Sequence, residues 1–148
     1  MNMSKEQKGS NTMKAYLAAP FFNQNERYIY SRVIDYLRNA EYLDLYVPQE
    51  HTVEDAWNLP NSAWAWKVFK EDVQALDEAT VVYVLNFGMY SDSGTAWEAG
   101  YAYAKGKRIV NILVNQESNV YSLMMIGGAN KLVNIEFENV EEGEVEQK

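Results

Sequence analysis

Cysteine is absent and histidine occurs once, at position 51, in this chain of 148 residues. The first absence excludes a disulfide scaffold, a thiolate zinc site and a cysteine nucleophile. The second leaves almost no material for a serine–histidine triad or a multi-histidine metal centre. Long apolar runs are missing too: none approaches the ~20 residues of a membrane span, and the longest are of strand length. Positive charge is also scarce. A net charge of −8 argues against a nucleic-acid backbone or an anionic membrane as partner. An enzyme made from this inventory has carboxylates to work with and little else.

What is present is an ordinary globular composition, 47% apolar and 23% charged, and the length suits one domain with a real core. Residues 1–12 are polar and mixed in charge, without the apolar centre of a signal peptide. They read as a disordered leader ahead of a second candidate start at Met13, which makes a cytoplasmic location the expectation. At the other end, residues 138–148 form an acidic tail expected to be disordered. Glu136, Glu138, Glu141, Glu142, Glu144 and Glu146 against Lys148 hold more than half of the net charge. Without them the body, residues 13–137, is only mildly acidic.

Within that body the pattern alternates. Short β-branched and aromatic runs at Lys14–Ala19, Leu43–Val47, Thr80–Phe87, Arg108–Asn115 and Leu132–Phe137 read as strands. Helical periodicity spans Asn23–Asn39, Ser62–Ala79 and Thr95–Lys105, and Val120–Ile126 reads as a short helix before Gly127-Gly128. Five strands alternating with helices predict an α/β fold: a flavodoxin-like, doubly wound, five-stranded parallel sheet in the order 2-1-3-4-5 with helices on both faces. That order puts a ligand crevice beyond the carboxyl ends of the first and third strands, at the loops Pro20–Gln24 and Gly88–Gly94. Neither loop contains Lys or Arg, and the glycines make no phosphate-cradling pattern.

Two stretches carry candidate chemistry. Wound at about 100° per residue from Ala65, the second helix gathers Trp66, Val68, Phe69, Val73, Leu76 and Ala79 on one face, expected to be core. Asp72 falls in the middle of that face, at about −20°. A carboxylate aimed at the core must be paired, hydrogen-bonded or protonated, as a site residue or as a structural cap. The second stretch is Asp92-Ser-Gly-Thr-Ala-Trp-Glu98, in which Glu98 is the single charge between Ser93 and Ala104. Local pattern alone favours capping: Thr95-x-x-Glu98 matches a capping box, and Asp92 and Ser93 are good helix caps. Location at the predicted crevice favours a site. Paired carboxylates suit displacement at an anomeric carbon, and Tyr16, Phe21 and Phe22 could stack on a flat ring, although core packing explains Tyr16 equally well. The tryptophans at 57, 64 and 66 cluster around the second helix and could form a hydrophobic lid or a subunit contact, with ordinary packing the default reading. Gln49 and His51 follow the second strand and could line the pocket.

Tyr16-Leu-Ala-Ala-Pro-Phe-Phe22, Asp72, and above all Asp92-Ser-Gly-Thr-Ala-Trp-Glu98-x-Gly-Tyr-Ala resemble the nucleoside 2-deoxyribosyltransferases, over Lys14–Phe137. The resemblance implies exchange of the base of a 2'-deoxynucleoside donor for a free nucleobase acceptor, through a covalent deoxyribosyl–carboxylate intermediate and without cofactor or metal. It casts Glu98 as nucleophile, Asp92 and Asp72 as the groups that bind the base and manage its proton, and Tyr16 as the hydroxyl orienting the nucleophile. Phe22, with Phe21, packs near the ligand, and Gly94 lies in the motif. Ser122 stands where members often place an asparagine offered to the neighbouring subunit's sugar. The resemblance also implies a homo-oligomer built on dimers, up to a hexamer. Two other functions stay open: a 2'-deoxynucleoside 5'-monophosphate N-glycosidase, and a non-catalytic nucleoside-binding module.

Overall fold

The computed structural model describes residues 12–51, 61–89, 92–115 and 120–136. The leader up to residue 11, the acidic tail and Trp57 lie outside the described residues. Five strands, β1 (Met13–Ala18), β2 (Leu43–Tyr46), β3 (Val81–Asn86), β4 (Arg108–Asn115) and β5 (Lys131–Glu136), form one sheet in the order β2-β1-β3-β4-β5. Every neighbouring pair is parallel. Four helices alternate with them: α1 (Gln24–Arg38), α2 (Asn61–Glu78), α3 (Ser93–Ala104) and the short α4 (Leu123–Gly127). The expected flavodoxin-like architecture is the observed one, and element ends differ from expectation by at most three residues.

Period-two alternation divides the core. Ala15 and Leu17 of β1 face a cluster with Ile29, Tyr30, Val33 and Leu37 of α1. Tyr16 and Ala18 point the other way, into a cluster with Leu76 of α2 and Ala99 and Ala102 of α3. Ala99 and Ala102 are small, so α3 lies close on the sheet and brings its side chains to the strand ends. The start of α1 is locked by a capping box: Asn23 Oδ1 accepts from the Glu26 amide at 2.8 Å, and Glu26 reaches back to the Asn23 amide at 3.2 Å. Glu26 also accepts from the Phe22 amide at 2.9 Å, which ties down the loop after β1.

One expectation fails. The apolar face of α2 is buried only toward its C-terminal end, at Leu76 and the following Ala79. Trp66 is 57% exposed and Phe69 43%, and Trp64 is exposed as well, so Trp64 and Trp66 are not ordinary core packing. The physical reason is geometric: α2 is 18 residues long, whereas β1, which it packs against, has six residues, and the first turns of α2 lie beyond the sheet. A helical wheel shows that a face is apolar and says nothing about what covers it.

Candidate active site

The carboxyl end of β1, the turn after β2, the middle of α2 and the start of α3 meet at one crevice. The side chains of Ala19, Phe21, Phe22, Pro48, Gln49, Asp72, Asp92 and Glu98 line a cavity of about 280 Å³ there. Three carboxylates from two helices and a helix cap thus share one small space. No Lys, Arg or His stands among these lining residues. A larger cavity of about 950 Å³ opens on the α1 side of the sheet, walled by apolar residues of α1 and the strands with Arg32, Arg108 and Lys131, and its one carboxylate is Glu136.

All three carboxylates are partly buried, and Glu98 is the one bonded to a fully buried group. The Tyr16 hydroxyl donates to Glu98 Oε2, and Tyr16 itself is fully buried on the central strand. Burial raises the Glu98 carboxyl to about 7, the Tyr16 bond opposes that rise, and the charges of Asp72 and Asp92 add to it. Burial and the neighbouring Glu98 push the Tyr16 hydroxyl far above the usual phenol range, so it remains a donor throughout the physiological range. The pair therefore presents a partly desolvated carboxylate with one oxygen held in place.

Asp72 is half-buried on α2 and accepts a hydrogen bond from the Tyr46 hydroxyl at 3.3 Å. Burial raises its carboxyl above the usual range, the bond from Tyr46 opposes this, neighbouring Glu71 raises it and His51 lowers it. Asp92 caps α3: its Oδ2 accepts from the Thr95 amide at 2.9 Å and from the Thr95 hydroxyl at 3.0 Å. The capping box expected from Thr95 and Glu98 is therefore not formed. Asp92 occupies Thr95 on both polar groups, α3 begins at Ser93, and Glu98 turns to Tyr16 instead.

Of the residues singled out from the sequence, Asp72, Asp92, Glu98, Phe21 and Phe22 share the cavity, with Tyr16 bonded to Glu98. Phe22 is 74% exposed at the rim, while Phe21 packs on the Tyr30 ring at 4.9 Å and the Arg27 guanidinium at 5.1 Å. Gly94 is not in the lining, but a Cβ there would lie 3.2 Å from Asp92 Oδ2. Ser122 lies elsewhere, at the start of α4 in a cavity of about 690 Å³ on another side of α3. Two further residues belong here: Gln49, which the sequence offers only as a candidate for lining the pocket, and Tyr46, to which it assigns no role. Gln49 lines the carboxylate cavity, and its Oε1 accepts from the Tyr30 hydroxyl. Tyr46 donates to Asp72. The one signal for them was position: both follow or end β2, beside the predicted crevice.

A sequence profile of the family described as nucleoside 2-deoxyribosyltransferase matches residues 15–143. A protein of Thermofilum pendens that bears, by inference, the name 2'-deoxynucleoside 5'-phosphate N-hydrolase 1 is 26% identical over 115 residues, 78% of either chain. The solved 2-deoxyribosyltransferase of Bacillus psychrosaccharolyticus superposes with a TM-score of 0.66 at 26% identity, covering 89% of this chain and 95% of that one. The CMP N-glycosidase of Clostridium botulinum shares the fold, with a TM-score of 0.54 at 20% identity over 90% of this chain and 96% of its own.

Proposed function

The chain belongs to the nucleoside 2-deoxyribosyltransferase family, and from that premise we propose that it moves the 2-deoxyribosyl group of a 2'-deoxynucleoside to another purine or pyrimidine base, with Glu98 as nucleophile. The observation that carries this reading is the partly buried Glu98 carboxylate, held by Tyr16 in a cavity with Asp72 and Asp92. Glu98 Oε attacks C1' as the C1'–N bond breaks. The electron pair of that bond leaves with the base, which takes a proton from Asp72 or Asp92. The acceptor's ring nitrogen then attacks C1' of the glutamyl ester, gives up its proton to the same carboxylate, and releases Glu98. Two displacements on opposite faces retain configuration. A 2-deoxy sugar lacks the electron-withdrawing 2'-hydroxyl, so its oxocarbenium-like transition state forms readily, and a desolvated carboxylate suits it.

The Thermofilum relative supports a second reading, hydrolysis of a deoxynucleoside 5'-monophosphate. The lining disfavours it: three carboxylates and no cation make a poor seat for a phosphate. Chromatography of purified protein with deoxyinosine plus adenine, and with thymidine plus adenine, decides between them. Deoxyadenosine is the expected product, and a no-acceptor sample should hold the sugar on Glu98 as a mass increase of one deoxyribosyl group. Free base with no transfer product, from deoxynucleosides or from their 5'-phosphates, overturns the transferase in favour of the hydrolase. Binding without any turnover supports the non-catalytic module.

The protein assembles, on this reading, as a homo-oligomer through the uncharged side of α3. Leu123 and Met124 are each 85% exposed there beside Tyr103 and Met89, and an apolar surface of that kind suits a second copy. Light scattering gives the mass directly.

A further inference from the structure

Tyr46 stands outside the family motif and outside the cavity lining, yet it is the donor to Asp72. Its place follows from strand register. Tyr16 of β1 and Tyr46 of β2 are direct partners across the parallel pair, so both side chains leave the sheet on one face. Their rings stack with centroids 5.5 Å apart and planes 13° apart. His51, at the end of the single turn Pro48–Glu50 after β2, stacks on Tyr46 with centroids 4.2 Å apart and planes 8° apart. Three nearly parallel rings thus form a pile in which two members carry hydroxyls. One hydroxyl donates to Glu98 and the other to Asp72.

We propose that Tyr46 is a positioning residue: clamped by its stacks with Tyr16 and His51, its hydroxyl holds the Asp72 carboxylate in register with Glu98. The strand pairing then sets the spacing of the two carboxylates, because each is addressed by one of two register-paired tyrosines. Among the described residues Tyr46 is the one hydrogen-bond donor to Asp72, which has no salt-bridge partner there. A half-buried aspartate on a helix needs such a tether to keep one rotamer. A phenol fixed by two ring contacts is a stiff tether. The charged and titratable groups around Asp72 are Glu71 beside it on α2, His51 after β2, Tyr16 of β1, Glu98 of α3, and Asp92 across the cavity. None of the others shares the geometry of Tyr46.

The inference rests on the reading of Glu98 and Asp72 as the working pair, and its test separates the two. Protein labelled with ¹³C at the aspartate and glutamate carboxyls is titrated by NMR, with Asp72 and Glu98 assigned by Asp72→Asn and Glu98→Gln. In Tyr46→Phe, which keeps the ring and the stacks, the Asp72 midpoint should rise, because a bond to the charged form is lost, while the Glu98 midpoint keeps its place. His51→Ala, which keeps the hydroxyl but removes a ring of the clamp, should raise Asp72 by less. In base exchange, Tyr46→Phe should lower kcat by about tenfold with the donor KM changed less than about twofold. An unmoved Asp72 midpoint in Tyr46→Phe, or an unchanged kcat, overturns the proposal. Absence of any exchange or base release by the wild type overturns the functional reading instead, and the titration still decides what Tyr46 does.

Discussion

Helix α3 has two sides that differ in almost every property. Toward β1 and α2 it presents Glu98 to a cavity of about 280 Å³ holding three carboxylates. Toward α4 it presents Ala96, Gly100 and Tyr103, at the i, i+4, i+7 spacing of a stripe, to a cavity of about 690 Å³ with no charged residue in its lining. The smaller, polar space is where bond-making chemistry can be supported, because burial there makes each charge matter. The larger space offers mainly apolar contact, with the Tyr103 and Ser122 hydroxyls and no ionised group. On the function proposed above, size is a poor guide to the working site, and the cost of burying a carboxylate is a better one.

The sharpest way to break that contrast is to remove one feature from each side. Glu98→Ala should lower deoxyribosyl transfer by three or more orders of magnitude, as loss of a nucleophile does, with the fold retained. Leu123→Glu, on the other side of α3, should leave the carboxylate cavity unaltered and change the mass seen by light scattering. Near-normal turnover in the Glu98 variant would remove the covalent mechanism altogether.

A second test uses the electrostatic difference between the sides. The Glu98 carboxyl is raised to about 7 in the folded chain against 4.5 ordinarily, chiefly by burial. The folded state therefore holds this proton more tightly than the unfolded one. The stability linked to it is fully present below about pH 4.5 and is lost as pH rises through about 7, an effect on the order of 3 kcal/mol. Glu98→Gln keeps an oxygen for Tyr16 and removes the charge. It should unfold at a higher temperature than the wild type at pH 8, with the gap closing toward pH 5. A gap equal at both pH values would mean that Glu98 is not desolvated. Transfer by the wild type should rise with pH through about 7, since the nucleophile must be ionised.

Much of this contrast was legible in the sequence, for particular reasons. Strand-length apolar runs at Thr80–Phe87 and Arg108–Asn115 could only be buried parallel strands, and sheet order followed. Glu98 stood out as the lone charge of a helix rich in Ala and Gly, and Asp72 as the lone charge on an apolar face. The capping box misled because Thr95-x-x-Glu98 is a statement about four residues, whereas Tyr16, which claims Glu98, lies 82 positions away. Tyr46 was unreadable for a similar reason: its stack depends on the β1–β2 register, which no local pattern reports. The exposure of Trp66 and Phe69 depended on where α2 outruns the sheet.

Smaller effects refine the same comparison. In Gly94→Ala the new methyl would stand 3.2 Å from Asp92 Oδ2, a carboxylate already held by the amide and hydroxyl of Thr95. The group must give by a few tenths of an ångström. Transfer should fall roughly three- to tenfold while thermal stability hardly changes. Turnover equal to wild type would place Asp92 outside the reaction and leave it a helix cap.

Gly100→Ala is the mildest change and bears on the uncharged side alone. A Cβ there meets nothing within 4 Å in the isolated chain, and alanine in a helix interior is favoured over glycine by about 0.8–1.0 kcal/mol. At low protein concentration the variant should therefore unfold a few degrees above the wild type with its chemistry unchanged. If a second copy seats against the stripe of Ala96 and Gly100, the same methyl intrudes on that contact, and association measured by sedimentation at rising concentration should weaken. The two effects have opposite signs and different concentration dependence, so one variant separates them. Stabilisation at every concentration with unaltered association would mean that copies meet elsewhere on the molecule, and that the apolar wall of α3 is a feature of the single chain.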